Sequence, residues 1–262
     1  MIIRRLAPVL AVVLLAGCGG SSDAGTQAGG TSTTSTPSPS TSASPTRELD
    51  PNGFPLADRP DCAADAGGEL VRATTSEGNG VAFLLLGSGT GGGVVLGPQS
   101  DGDICQWLPY ATELATHYRV ALFDWKEPRA EVPLLAVEAL RAAGAEKVVL
   151  AGASLGGAFA LSEAHRVRPR LAGVLSFGGE LTLPGFDGRP GIRKWHGPLL
   201  QISSKDDGYF NSRNARQLRV LHPGPETILM LPGSDHGVAM LEGPEQQQVR
   251  STVDQYLARV LG

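Results

Sequence analysis

The sequence predicts an α/β fold, a mostly parallel eight-stranded sheet with helices on both faces. Three observations carry this reading. Short β-rich apolar runs alternate with segments of helical periodicity. Glycine- and aspartate-containing turns close many of the runs, such as Gly97-Pro98-Gln99-Ser100 and Pro232-Gly233-Ser234-Asp235. The run Lys147 to Ala151 passes through Gly152-Ala153-Ser154-Leu155-Gly156 directly into a helical segment.

In order, strands are expected over 70–75, 81–86, 93–96, 119–123, 147–151, 171–177, 199–203 and 227–231. Helices are expected over 107–116, 133–143, 155–166, 211–221 and 246–261. The first helix repeats Trp107, Tyr110, Ala111, Leu114 and Ala115 at helical spacing, which places Trp107 in the core. The first two strands are expected to be an antiparallel pair. Gly87 to Gly93 is glycine-rich but lacks the Gly-Lys-Ser/Thr ending of a phosphate loop, and another strand follows it. It reads as a flexible connection.

Gly152 to Gly156 fits G-x-S-x-G, a sharp strand-to-helix turn that lifts a serine hydroxyl clear of the sheet edge. The flanking glycines allow strand and helix to approach closely. A serine hydroxyl is a weak nucleophile and needs a base in reach, oriented by a carboxylate. Both partners follow in the order acid, then histidine. Asp206 and Asp207 sit in the turn after the run Pro198 to Ser204, and His236 in the turn after Thr227 to Leu231. His117, His165, His196 and His222 do not end a late strand in a glycine turn and read as surface or helix residues.

This constellation resembles the α/β-hydrolase family from about Leu70 to the C-terminus. The resemblance implies Ser154 as nucleophile, His236 as general base and Asp207 as the acid, with Asp206 as the alternative. The oxyanion of the tetrahedral intermediate would be held by two backbone N–H groups. One is that of Leu155. The other belongs to the loop after the third strand, at Ser100 or alternatively Gln99, since Pro98 has no N–H. Many members carry His-Gly at this point, and Pro98-Gln99 departs from that pattern. The gap from Gly178 to Gly197 is too short for the helical cap many members insert, so an open site is expected. Glu180 and Trp195 border it and read as structural.

The implied reaction is cleavage of carboxylic esters or related acyl compounds through an acyl-enzyme. A small-molecule, lipid or polymeric acyl compound is the expected partner, and no metal or organic cofactor is implied. A peptidase or amidase with the same triad is the alternative, as is a non-catalytic cell-envelope binding module on a hydrolase fold. Dienelactone-hydrolase-like members share the small capless form but usually carry cysteine at the elbow, where this chain has Ser154.

The N-terminus speaks to location. Arg4 and Arg5 precede the apolar run Leu6 to Ala16, a secretory signal pattern. That run is shorter than the ~20 residues of a membrane-spanning helix. Leu15-Ala16-Gly17-Cys18 resembles the lipobox of bacterial lipoproteins, which implies a signal peptide over 1–17 and lipid on Cys18. Residues 18–60 are rich in Ser, Thr, Pro, Gly and Ala, a composition that cannot offset its ordering entropy by burial. They read as a tether, leaving a hydrolase domain over 61–262. The expected location is extracytoplasmic, on the cell membrane. Of the three cysteines, Cys62 and Cys105 then remain, and outside the reducing cytosol they are expected to pair. Their spacing fits no metal cluster. The net charge of −4 and pI near 5.7 argue against a nucleic-acid partner. A monomer is expected.

Overall fold

The computed structural model describes residues 61–63, 65–89, 91–125 and 130–262. The expected signal peptide over 1–17, Cys18 and the expected tether over 18–60 lie outside the described residues. Among the described residues, ten strands and six α-helices follow in chain order. They are β1 (Glu69–Thr74), β2 (Gly80–Leu86), β3 (Gly93–Gly97), α1 (Ile104–Leu114), β4 (Arg119–Leu122), α2 (Val132–Ala142), β5 (Val148–Ala153) and α3 (Leu155–Glu163). Then come β6 (Gly173–Phe177), β7 (Thr182–Leu183), β8 (Phe186–Asp187), α4 (Arg189–Ile192), β9 (Leu199–Ser204), α5 (Ser212–Leu221), β10 (Glu226–Leu231) and α6 (Gln246–Leu261).

Eight strands form one sheet in the order β1-β2-β4-β3-β5-β6-β9-β10. β2 runs antiparallel to both β1 and β4, and all the other neighbours are parallel. The expected antiparallel first pair is therefore present, and β2 extends it to a second neighbour. Alternation along the central strands explains the two helical layers. Leu84, Leu86, Val94, Leu96, Val149 and Ala151 pack on one face with Trp107 and Leu114 of α1 and Val249, Val253 and Leu257 of α6. Phe83, Leu85, Val95, Val148 and Leu150 pack on the other face with residues of α2, α3 and α5. Strands buried on both faces read as continuous apolar runs, which is why 81–86, 93–96 and 147–151 stand out in the sequence.

The main differences lie at element ends. α1 begins at Ile104, three residues before the expected start, because Asp103 caps it by accepting from the Cys105 N–H at 2.8 Å. Asn211 is the N-cap of α5 and not its first residue, and its side chain and that of Asn214 form a reciprocal capping box. The segment 178–197 holds the two-stranded β7–β8 hairpin and the short α4. The short helix is one of the forms expected of this gap; the hairpin was not expected, since two-residue strands leave no periodicity to read. No cap domain is present among the described residues. The link from β2 leads to β3 without a helix, in keeping with a simple connection. Cys62 and Cys105 are joined by a disulfide with Cα atoms 5.8 Å apart, which ties the segment before β1 to the start of α1.

His222, at the C-terminal end of α5, has a fully buried side chain. The Glu226 carboxylate lies 3.9 Å away. Burial holds the imidazole pKa below its ordinary value. The unfolded chain therefore takes up a proton at His222 first as the pH falls. Stability is full above the free-imidazole pKa of ~6.5 and is lost progressively below it. Thermal unfolding between pH 7 and pH 5 is expected to show a falling Tm, with a shallower fall in His222→Gln. Equal slopes in the two proteins would place the acid sensitivity elsewhere.

Candidate active site

The strand order reverses between β3 and β5, and open α/β sheets place their sites at the carboxyl ends of strands flanking such a switch. β3 pairs with β5 in a register that sets Gly97 beside Gly152. Ser154 follows at the end of β5. It is the one non-glycine residue among those described with positive φ, at φ 49° and ψ −113°. The strain turns its side chain out of the strand before α3 begins.

The glycines around Ser154 have specific steric duties. A Cβ on Gly152 would lie 2.4 Å from the Gly156 carbonyl carbon, and one on Gly156 would lie 2.3 Å from the Gly97 oxygen. These are backbone atoms, so no side chain can swing aside. Gly156→Ala is accordingly expected to destabilise the fold by about 3 kcal/mol or more. A Tm within a degree or two of the parent would show that β3 and α3 can separate without cost.

The structure brings Asp207 and His236 together. Asp207 Oδ2 lies 2.8 Å from His236 Nδ1, and Asp207 Oδ1 accepts from the Tyr209 N–H at 2.8 Å. The Asp207 side chain is 1 % exposed and that of His236 20 %. A buried carboxylate with acceptors committed on both oxygens fixes the ring, leaving Nε2 as its free position. Nε2 is buried and makes no hydrogen bond among the described residues. Asp206 has an exposed side chain, and its backbone N–H donates to the Gly233 oxygen at 3.1 Å. The two loops are bound further by Lys205 N–H to the Leu231 oxygen and by Ser204 Oγ to the Asp235 oxygen.

The end of β6 joins this pair to the serine turn. The Ser154 N–H donates to the Phe177 oxygen at 2.9 Å. The next residue, Gly178, has φ 65°, and a Cβ there would lie 2.9 Å from His236 Nδ1 and 3.4 Å from Asp207 Oδ2. Only glycine meets both demands, positive φ and contact with the imidazole.

The loop after β3 is held by residues the sequence did not single out for that task. The Gly156 N–H and the Trp125 indole both donate to the Pro98 oxygen, at 3.1 Å and 2.9 Å. The Trp107 indole donates to the Gly97 oxygen at 3.1 Å. Trp107 is fully buried, as expected of a core residue, and also serves this loop. The Pro98–Gln99 peptide is thereby fixed, and the direction of the Gln99 N–H with it. Gln99 Oε1 accepts from the Val238 N–H at 2.9 Å, so this side chain bridges to the loop of His236. Ser100 lies exposed in the following turn. Leu155 is the first residue of α3, where the helix offers its N–H no acceptor. No sequence signal foretold the Gln99 bridge, which depends on two loops far apart in the chain.

Two more side chains border His236. The exposed Tyr209 ring lies 4.7 Å from the imidazole, centroid to centroid. Glu180 is half-buried, and burial pushes its carboxyl pKa up, opposed by His236 and reinforced by Asp207. Trp195 is buried and donates to the Pro198 oxygen at 3.3 Å, a structural role as expected. No cluster of three or more His, Cys, Asp or Glu that could hold a metal ion occurs among the described residues. No helix among them is long and apolar enough to cross a membrane.

No protein-family model and no curated protein sequence matches this chain. Solved structures do. An esterase from Pyrococcus furiosus, Pf2001, superposes with a TM-score of 0.66 at 14 % identity, over 76 % of this chain and 94 % of that one. The esterase domain of a Rhodothermus marinus protein gives 0.61 at 19 % identity, over 74 % and 99 %. A hydrolase from Pseudomonas aeruginosa gives 0.61 at 16 % identity, over 73 % and 99 %. With the strand order and the parallel sheet, these likenesses establish that the chain has the α/β-hydrolase fold.

Proposed function

We propose that this chain is a serine hydrolase that cleaves carboxylic esters through an acyl-enzyme. The observation that carries the reading is a strained Ser154 turn, joined through Phe177 and Gly178 to a half-buried His236 that is held by the buried Asp207 and keeps Nε2 free. In this reading His236 Nε2 accepts the Ser154 proton as Oγ attacks the ester carbonyl. The tetrahedral oxyanion receives hydrogen bonds from the Leu155 N–H and one N–H of the β3 loop. The fixed Pro98–Gln99 peptide favours Gln99 as that second donor over Ser100. Collapse of the intermediate breaks the C–O bond, and the imidazolium returns its proton to the departing alcohol. Water then repeats the sequence on the acyl-serine and releases the carboxylic acid. Asp207 fixes the tautomer and stabilises the imidazolium.

The lipobox likeness at Leu15 to Cys18 supports an enzyme anchored by lipid on Cys18 and held outside the membrane by the 18–60 tether. The absence of a cap among the described residues supports an open acyl site.

The test is hydrolysis of p-nitrophenyl esters with two to sixteen acyl carbons by the full chain, together with fluorophosphonate labelling. Turnover with labelling at Ser154 is the expected result, and the chain-length optimum reports the acyl site. Labelling without ester turnover would move the reading to amides. A folded protein with neither would defeat it.

A further inference from the structure

Charge is unevenly divided along this chain. Residues 163–222 hold ten Lys and Arg against five Asp and Glu, a net charge of +5 in a chain whose total is −4. The fold gathers much of that excess on one side of the sheet, where α4 packs against both α3 and α5. Arg193 and Lys194 follow α4, and Arg213 and Arg216 lie on α5. With Lys205 from the loop after β9, these five are exposed and make no ion pair among the described residues. α5 itself contains no acidic residue. Lys205, Arg213 and Arg216 line one open groove, in which Asp206 is the exposed acid. Like charges held together in this way repel one another, and an anionic partner relieves that repulsion.

A second observation falls on the same segment. Two large hydrophobic side chains stand exposed among the described residues, Tyr209 at 60 % and Val220 at 86 %. Tyr209 lies just before α5. Val220 is in its last turn and shares a helical stripe with Arg213 and Arg216. Cationic side chains interleaved with an exposed aromatic and an exposed aliphatic side chain match the boundary of a bilayer. There phosphate oxygens meet the cations, and the outermost acyl carbons meet the apolar groups. A soluble polyanion offers nothing to Val220.

Resting on the reading of a membrane-anchored chain, we propose that the outer face of α4 and α5 is a docking surface for anionic phospholipid bilayers. The five cationic side chains hold headgroup phosphates, and Val220 and Tyr209 enter the boundary between them. Lipid on Cys18 keeps the domain near the bilayer, and this face decides which side is turned towards it. Because Tyr209 also lies against the His236 ring, docking brings the proposed active site to headgroup level.

The full chain is mixed with vesicles of phosphatidylcholine, alone or with an equal share of phosphatidylglycerol, and the ratio of the two affinities is read by sedimentation. Arg4, Arg5 and the apolar run after them are common to every variant, so differences between variants isolate the face. The parent is expected to prefer the anionic vesicles by about tenfold or more, since each Lys or Arg near such a surface strengthens binding about fivefold. Added salt should remove most of that preference. Arg213→Glu with Arg216→Glu should lower the ratio by about tenfold or more. Arg119→Gln with Arg259→Gln removes two charges from the start of β4 and from α6, away from this face, and should leave the ratio in place. Val220→Asn should weaken binding to the anionic vesicles severalfold at unchanged charge. Circular dichroism melts report that each variant is folded. A parent ratio near one, or an unmoved ratio in the double glutamate variant, overturns the docking surface. Charge dependence with no effect of Val220→Asn would assign the face to a soluble polyanion and overturn the bilayer as its partner. Protein from a lipoprotein-processing bacterium with no lipid on Cys18 would defeat the anchor alone, and the vesicle ratio would still decide the docking.

Discussion

Ser154→Ala is expected to lower kcat/KM on p-nitrophenyl esters by about 10⁴-fold or more and to abolish fluorophosphonate labelling. The size follows from the division of labour at the site. Without Oγ no acyl-enzyme forms, and only the oxyanion donors and substrate binding remain to speed attack by water. The same residue separates chemistry from stability. Ser154 keeps φ at 49°, in the region that favours glycine, so the fold is strained where the proposed nucleophile stands. Alanine keeps the Cβ and hence the strain. Glycine removes both, so Ser154→Gly should be as inactive as Ser154→Ala but more stable by about 1 kcal/mol. Chemical denaturation of the three proteins, beside their ester kinetics, checks both halves. If Ser154→Ala kept a tenth of the parent rate, the nucleophile would lie elsewhere. If Ser154→Gly were less stable than Ser154→Ala, strain would not be stored at this turn.

The sheet was readable because burial writes itself into composition. β3 and β5 are covered on both faces, and Gly93 to Leu96 and Val148 to Ala151 are apolar without interruption. The serine turn was readable because its steric demands force glycine at fixed spacing, and Gly152 and Gly156 meet backbone atoms. The β7–β8 hairpin was not, since two-residue strands carry no local pattern and its Phe186 packs edge-on against Phe159 of α3, far away in the chain. The start of α1 was misplaced because the apolar period begins at Trp107, while the helix is opened by the Asp103 cap before it. Trp125 and the bridging side chain of Gln99 were silent for a different reason. Each acts through one hydrogen bond to a distant segment, Trp125 to Pro98 and Gln99 to Val238. A single long-range bond leaves no periodicity and requires no rare residue, so nothing in a lone sequence marks it.

The neighbouring pair Asp206 and Asp207 gives the sharpest contrast, because the two differ by position alone. Asp207→Asn is expected to cost about 10³- to 10⁴-fold in kcat/KM, and Asp206→Asn less than about twofold. The reason lies in what each carboxylate touches. Asp207 is buried and accepts on Oδ2 from the imidazole and on Oδ1 from the Tyr209 N–H. An amide in its place can present an NH₂ to Nδ1, which favours the tautomer carrying the proton on Nε2. That tautomer cannot take the serine proton. The imidazolium would also form without a facing negative charge. Asp206 projects into solvent, and only its backbone N–H is engaged, a bond that asparagine retains. Steady-state ester kinetics on the two variants decides the matter. Equal losses would mean that the turn acts through its net charge. A larger loss in Asp206→Asn would mean that the loop rearranges in solution, with Asp206 taking the place of Asp207 on His236.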